Sequence, residues 1–168
     1  NKISSPLEIV QLENVAIKNA LSDGFDSDFS TGFVRQGSFE NIGSVGGGDA
    51  IDLSGSNANI IGTKFKNIQD KAVSIGENST VKATQLIIDT VGVGIVSKDG
   101  SKTLLTDTVI NGSKLAALMA YQKKGEYGSA AIDAKNIKIK SSKESALQQK
   151  GSQIIIDGVP SPDSNIDI

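Results

Sequence analysis

The chain contains no cysteine, no histidine and no tryptophan among its 168 residues. Without cysteine it can form neither a disulfide framework nor a thiolate metal site. Without histidine it cannot build a Ser-His-Asp or Cys-His catalytic site, because both use the imidazole as the base. Aromatic residues make up only 4% of the sequence. Carboxylates, lysines and hydroxyls are therefore the side chains that remain for chemistry.

The sequence also has little net charge and no long apolar run. Its 17 basic and 19 acidic residues give a formal charge of -2, which does not favour nucleic acid as a partner. Residues 1–57 hold eight acidic and three basic residues, whereas residues 58–168 hold eleven and fourteen. No apolar run approaches the roughly 18 residues of a membrane-spanning helix, so we expect neither a membrane span nor a signal peptide.

A short pattern, a large apolar residue followed by any residue and then a small polar one, recurs along the chain. The polar positions are 19, 41, 67, 89, 111 and 141, so the intervals are 22, 26, 22, 22 and 30 residues. The two long intervals contain the glycine-rich segment 44–48 and the polar segment 122–128, which have the composition of inserted loops. A fixed period of this kind indicates a repeat architecture.

A second pattern recurs in the same period. Segments that begin at positions 24, 50, 72, 94, 117 and 146 start with glycine or alanine, continue with a large apolar residue and then alternate. Alternation with period two is typical of strands with one buried face. Three short strands in 22 residues make one coil of a parallel β-helix, in which equivalent residues stack about 4.8 Å apart.

We therefore predict an all-β fold, a single-stranded right-handed parallel β-helix of about six to seven coils with a period of about 22 residues. A β-sandwich is the alternative, but it would not repeat the same column order. Proline occurs only at 6, 160 and 162, which suits an uninterrupted sheet between them. We assign residues 1–159 to the β-helix domain and 160–168 to a C-terminal tail, in which Pro160 and Pro162 block further pairing.

Three stretches carry a resemblance to a known family. They are DAIDLSGS at 49–56, DKAVSIGENS at 70–79 and LMAYQKK at 118–124. They resemble the right-handed parallel β-helix repeats of the pectate-lyase-like superfamily, over roughly residues 15–157. They are most similar to β-helix modules of large bacterial surface or secreted proteins, some of which accompany spore-coat-protein-H-type kinase domains. The resemblance implies a location outside a bacterial cell or on its surface.

The repeat alignment also brings carboxylates together. It places Asp26 over Asp52, and the alternation turns both, with Asp28, to the outer face. Carboxylate oxygens are ligands for Ca²⁺, so Asp26, Asp28 and Asp52 are candidate calcium ligands. The alternative is a solvated face, with Asp23 and Asp49 accepting backbone N–H bonds at turns.

Lys71 follows Asp23 and Asp49 in one column of the repeat. Catalytic members of the superfamily resemble one another in having a lysine or arginine beside a calcium cluster, and the only arginine here is Arg35. In this the chain departs from the catalytic members, but the place of Lys71 beside carboxylates makes it the candidate base for proton removal from a uronic acid whose carboxylate calcium neutralises. The alternative is an ordinary Asp49–Lys71 ion pair.

The outer face changes along the predicted stack from acidic residues to small ones and then to lysine and tyrosine. We expect this face to accommodate an extended glycan. The candidate ligand-binding residues are Lys98, Met119, Tyr121, Tyr127 and Lys150. The alternative is that the two tyrosines pack the 122–128 loop against the side of the helix.

Two functional hypotheses follow. The favoured one is a non-catalytic extracellular β-helix module that serves as a rigid scaffold and as a surface for carbohydrate or partner binding. Its partners would be polysaccharide or other domains of a longer parent protein. The alternative is a small calcium-assisted polysaccharide lyase acting on acidic glycans.

Overall fold

The computed structural model describes residues 8–164 and 166. Residues 1–7, which include Pro6 and begin the predicted β-helix domain, lie outside the described part. Residues 165, 167 and 168 of the predicted C-terminal tail also lie outside it. The described residues form strands and turns and contain no helix. In chain order the strands are β1 (Glu8–Glu13), β2 (Ala16–Lys18), β3 (Phe25–Asp28), β4 (Ser30–Arg35), β5 (Ser38–Ile42), β6 (Ile51–Ser54), β7 (Asn57–Ile61), β8 (Lys64–Gly76), β9 (Thr80–Thr84), β10 (Ile87–Lys98), β11 (Lys102–Thr106), β12 (Val109–Tyr121), β13 (Ala131–Lys135), β14 (Lys138–Lys140), β15 (Glu144–Gln148), β16 (Gln153–Ile156) and β17 (Val159–Pro160).

The strands stack into two sheets. The first sheet has the order β1-β4-β7-β9-β11-β13-β16-β17, and all its pairs are parallel except the last. The second sheet has the order β14-β12-β10-β8-β5-β2, with β15 beside β12 and with β3 and β6 beside β8. Each coil thus has a first leg in the first sheet and a second and a third leg in the second sheet. The predicted all-β parallel β-helix is confirmed as a parallel β-solenoid of about six turns.

The register shows where the repeat lengthens. Glu8 pairs with Ser30, 22 positions on. Ser38 pairs with Lys64 and Lys102 with Ala131, 26 and 29 positions on, which confirms both predicted insertions.

One column of the predicted repeat is shifted by a residue. Lys66 pairs with Asp89, so Asn67 lies beside Thr90 and not beside Asp89. The extra residue belongs to the turn at Glu77 and Asn78, both of which have a positive φ. Positions 90 and 112 therefore replace 89 and 111 in that column, and their left-handed φ values of 56° and 75° match the 56° of Asn67.

The interior is a stack of equivalent apolar side chains. Ile51, Val73, Ile95 and Leu118 lie on neighbouring third legs and are fully buried. Phe39 and Phe65 stack with ring centroids 5.4 Å apart. Burial of each such side chain is worth about 1.5–3 kcal/mol, which is what holds successive coils together.

Polar ladders line the corners between legs. Asn41 donates to Asn19 at 3.0 Å and Asn67 donates to Asn41 at 2.8 Å, so the predicted asparagine ladder is confirmed over three coils. A second ladder was not predicted from the sequence. In it, the backbone N–H of Ser30 donates to the Ser56 hydroxyl, and that of Ser56 donates to the Ser79 hydroxyl, both at 2.9 Å.

The C-terminal residues fold back onto the solenoid. Pro160 pairs with Ile155 in the antiparallel hairpin of β16 and β17, and Asp163 forms a parallel bridge with Gln148. The prediction that Pro160 and Pro162 block further pairing is therefore wrong. Pairing continues because the N–H of Ser161, the residue after Pro160, donates to the Ile154 carbonyl at 2.8 Å, and because Asp163 lies past both rings.

Candidate functional site

The predicted site residues share one surface, the outer side of the third legs, which we call the third-leg face. It is formed by β3, β6, β15 and the C-terminal halves of β8, β10 and β12. The predicted alternation is confirmed at its N-terminal end. Phe25 and Ile51 turn inward, Asp26 and Asp28 are exposed, and Asp52 is half-buried.

The three candidate calcium ligands lie on two adjacent strands. Asp26 pairs with Asp52, and Asp28 pairs with Ser54. Partial burial and the charges of Asp28 and Asp52 raise the pKa of Asp26 above its usual value. Asp52 also has a basic neighbour, since its Oδ1 lies 3.9 Å from Nζ of Lys98. As the side chains stand, no group of three or more potential ligands in the described residues is arranged to hold a metal ion, and calcium binding stays a prediction.

Lys71 lies in a network of carboxylates. Its Nζ is 3.3 Å from Asp49 Oδ1 and 2.5 Å from Asp70 Oδ2. Burial alone would lower the pKa of Lys71, but the two carboxylates outweigh burial and raise it. Burial raises the pKa of Asp49 to about 6, against the opposing effect of Lys71. The Asp49–Lys71 ion pair expected as the alternative is confirmed.

The aspartates at this corner also cap the backbone. Asp23 Oδ1 accepts from the N–H of Asp49 at 2.7 Å, and Asp49 Oδ1 accepts from the N–H of Lys71 at 3.0 Å. The same contact therefore recurs one coil further on. Asp23 and Asp49 act as turn caps, as the alternative reading of the acidic cluster expected.

Beyond the acidic coils, the third-leg face is apolar and covered. Five buried side chains form a cluster outside the solenoid wall, which we call the outer cluster: Val93, Val96, Ala116, Met119 and Tyr121. Met119 is only 7% exposed and Tyr121 only 8%. Leu147 and Ile166 pack against the cluster from the C-terminal side. Two of the predicted ligand contacts are thus buried here and do not line an open groove.

Tyr121 and Lys98 connect the outer cluster to the charged corner. Burial raises the pKa of Tyr121, and the charges that act on it include Lys71 and Asp49. The aliphatic stem of Lys98 lies over the backbone of Gly76. A Cβ added at Gly76 would be only 2.8 Å from Lys98 Cε. Beneath them Ser74 is fully buried, and its hydroxyl has no hydrogen-bond partner.

The last coil is displaced by one residue from the predicted alignment. Leu118 pairs with Ala146 and Met119 with Leu147, so Leu147 takes the outward position predicted for Gln148. Lys150 consequently lies in an exposed turn after β15 and out of line with Tyr121. The structure therefore does not bring Lys150 to the other predicted ligand contacts.

Tyr127 is held in the 122–128 loop, away from the outer cluster. Its hydroxyl donates to Glu77 Oε2 at 3.2 Å, and the ammonium of Lys124 donates to the other oxygen of the same carboxylate. These contacts lower the pKa of Glu77, with Lys124 as the main cause. Asp99 holds the base of the loop by accepting from the N–H groups of Lys123 and Lys124 at 2.6 and 2.7 Å. The alternative, a tyrosine that packs the loop against the solenoid, is confirmed for Tyr127.

A second surface lies on the first sheet and was not predicted. A shallow cavity of about 370 Å³ runs across β9, β11 and β13, and we call it the first-sheet trough. Lys82 and Lys102 border it on neighbouring coils, and Leu104 forms part of its floor. Asp133 also borders it but is paired with Lys135 at 3.2 Å. The signal in the sequence was the small Ala131, which stands beside Lys102 in the ladder and leaves room above the sheet.

No protein-family model, curated protein or solved structure matches this chain. The fold by itself does not specify an activity, since one architecture hosts many unrelated functions. Among the described residues, none belongs to a helix long and apolar enough to cross a membrane. The function has to be argued from the two outer surfaces and their chemistry.

Proposed function

We propose that this chain is a non-catalytic β-solenoid module of a bacterial extracellular or cell-surface protein. It serves as a rigid scaffold that displays a surface to polysaccharide or to neighbouring domains of a longer protein. The unbroken parallel ladder from β1 to β16 carries this proposal. In a solenoid each coil is held by its neighbours, so a continuous core makes a stiff rod of fixed length.

The state of Lys71 supports a non-catalytic role. A general base has to be deprotonated at the working pH and within reach of the substrate. Lys71 instead donates to Asp49 and Asp70, and the two carboxylates raise its pKa. An ammonium held in this way is a structural cation.

The binding surface is assigned to the first-sheet trough. It is open along the solenoid axis and so suits a chain-like ligand, and a lysine from each of two coils borders it. A second cavity of about 200 Å³ extends it toward β4 and β7 and shares Thr80 and Lys82. Of the contacts predicted on the third-leg face, Lys98, Met119 and Tyr121 are largely buried, whereas Tyr127 and Lys150 remain at the surface as secondary candidates.

Polysaccharide retention tests this assignment. We expect the chain to be retarded in affinity gels that contain acidic or neutral polysaccharides, and the paired change Lys82→Ala and Lys102→Ala to abolish the retardation. The matched control is Lys64→Ala with Lys66→Ala, which removes two exposed lysines from the second sheet. Equal retardation of both double variants would refute the trough as the binding surface. If no gel retards the unchanged chain, polysaccharide binding is refuted and only the scaffold role remains.

The calcium-assisted lyase is the second candidate, favoured by one observation. Repulsion from Asp28 and Asp52 contributes to the raised pKa of Asp26, and a bound cation would relieve that repulsion. For this candidate, calorimetry with CaCl₂ should give heat that Asp52→Asn removes. Polyuronates should then yield unsaturated products in amounts that fall in Lys71→Ala. A chain that releases no such product with calcium present is not a lyase.

A further inference from the structure

The two lysines beside the first-sheet trough have uncharged neighbours along the solenoid axis. Lys82 lies between an asparagine and a leucine in the strand ladder, and Lys102 lies between a threonine and an alanine. Lys66, on the second sheet, lies instead between Glu40 and Asp89. Both trough lysines are exposed, and neither forms an ion pair with any described residue. Their charges are therefore uncompensated within the fold.

The acidic residue that borders the trough is already paired. Asp133 lies 3.2 Å from Nζ of Lys135, so its charge does not oppose that of the two trough lysines. The second cavity, toward β4 and β7, is bordered by the hydroxyl of Thr31 and the amides of Asn57 and Asn59, and none of the described residues that line it carries a carboxylate. The two cavities thus combine a local excess of positive charge with hydroxyl and amide groups.

The shape of the two cavities suits a linear ligand. Together they cross β4, β7, β9, β11 and β13. Neighbouring strands lie about 4.8 Å apart, so the five strands span about 19 Å along the solenoid axis, which is the length of several sugar units. Lys102 pairs with Thr80, and Lys82 follows two residues further along β9, so the Cα atoms of the two lysines lie about 8 Å apart. Their ammonium groups can therefore contact separate acidic groups of one chain.

We propose that the first-sheet trough selects an anionic polysaccharide, with Lys82 and Lys102 binding acidic groups on successive sugar units. The inference rests on the polysaccharide binding proposed above and adds the class of glycan. A local excess of positive charge attracts anionic ligands even though the whole protein has a formal charge of -2. Single-stranded nucleic acid fits less well, because its binding sites stack bases on aromatic side chains, and none of the described residues that line the two cavities is aromatic.

Matched pairs of glycans test the charge selectivity. Alginate and its propylene glycol ester share one backbone, as do hyaluronate and its methyl ester, but only the acidic form of each pair carries ionised carboxylates. The affinity gels contain EDTA, so that calcium cannot bridge the glycan to the aspartates of the third-leg face. We expect the acidic form of at least one pair to retard the chain several-fold more than its ester. Raising NaCl from about 50 to about 500 mM should remove most of this difference, because salt screens exposed charges.

Two charge variants test the role of the lysines. Lys82→Gln with Lys102→Gln keeps the approximate length of both side chains and should reduce retardation by the acidic form to the level of the ester. Lys82→Arg with Lys102→Arg keeps both charges and should preserve the difference. A difference that persists in the glutamine variant would overturn the assignment to these lysines.

The remaining outcomes separate this inference from the proposed function. Equal retardation by the acidic and esterified forms would overturn the charge selectivity and leave polysaccharide binding intact. No retardation in any gel would refute both. If oligothymidylate displaces the chain from alginate at a lower concentration of charge than soluble alginate does, nucleic acid is the preferred ligand and the proposal is overturned.

Discussion

Lys71 binds one carboxylate oxygen of Asp49 twice, through its backbone N–H at 3.0 Å and through its ammonium at 3.3 Å. The backbone contact repeats the cap that Asp23 provides to Asp49 one coil earlier. The ammonium contact is added only at the third coil, where the column changes from aspartate to lysine. Asp49, the carboxylate with the largest pKa shift among the described residues, therefore belongs to a structural corner, and its titration should be visible in stability.

The free energy of unfolding should depend on the protonation of Asp49. Its pKa is about 6 in the folded chain and 3.8 as the reference for the unfolded one. Because the folded state then binds the proton more tightly, this group contributes stability that is fully present below pH 3.8 and is lost as the pH rises through 6. Thermal unfolding between pH 4.5 and 7.5 should show this loss in the unchanged chain.

Asp49→Asn is the control for that titration. The amide oxygen can still accept from the Lys71 N–H, but the group no longer ionises. We expect the difference in melting temperature between pH 4.5 and 7.5 to shrink in the variant relative to the unchanged chain. An equal pH dependence in the two proteins would show that Asp49 titrates at its ordinary value when folded.

The buried serine ladder should contribute measurably to stability. Ser56 is fully buried, and its hydroxyl accepts from the Ser30 N–H and donates to the Ser54 carbonyl, both at 2.9 Å. Ser56→Ala leaves a buried N–H without this acceptor, which should cost about 1–3 kcal/mol in chemical denaturation. Ser44→Ala, in the exposed glycine-rich segment, is the control and should change stability by less than about 0.5 kcal/mol. Equal stability of the two variants would mean that water replaces the hydroxyl.

The sequence was sufficient to predict the solenoid because its strongest signals are local and repeated. The alternation around Ile51, Val73 and Ile95 gives the buried column directly. The sequence was insufficient where a coil gains a single residue and the alternation of apolar residues stays the same. The extra residue at Glu77–Asn78 and the shift at Ala146 depend on turn geometry, which apolar spacing does not determine.

The candidate site was predicted less well, because a side chain that points away from the core is not always exposed to solvent. Period-two alternation correctly turned Met119 and Tyr121 away from the core, but it gave no sign that Leu147 and Ile166, which are distant in sequence, pack against the cluster that these two side chains belong to. The serine ladder was missed for a related reason. Serine is common at turns, and only the three-dimensional stack shows that Ser30, Ser56 and Ser79 follow one another.

The 122–128 loop should be held more by Asp99 than by Glu77. Asp99 is buried and accepts from two backbone N–H groups, whereas the Glu77–Lys124 pair is partly open to solvent and such pairs contribute little. We expect Asp99→Ala to speed trypsin cleavage after Lys123 and Lys124 several-fold, and Glu77→Ala to speed it less than twofold. Asp99→Asn keeps an acceptor oxygen and should restore slow cleavage. The reverse order of the two alanine variants would contradict this assignment.

Two glycines of the third legs should respond differently to the same added methyl group. At Gly94 a Cβ would overlap the carbonyl oxygen of Ala117 and lie 3.2 Å from Ile110 Cγ2, and neither backbone nor core can move freely. At Gly76 it would meet the flexible stem of Lys98 at 2.8 Å. Gly94→Ala should therefore destabilise the chain by about 1–3 kcal/mol. Gly76→Ala should cost less than about 1 kcal/mol, because Lys98 can swing away from Asp52 into solvent.

Chemical denaturation of both variants and of the unchanged chain gives the comparison. A large loss in both would mean that Lys98 is fixed over Gly76, and that its approach to Asp52 is part of the packed structure. Adding Lys98→Ala to Gly76→Ala distinguishes the cases. Removal of the stem should relieve the cost if the clash with Lys98 causes it, and should leave the loss unchanged if the backbone of the third leg does.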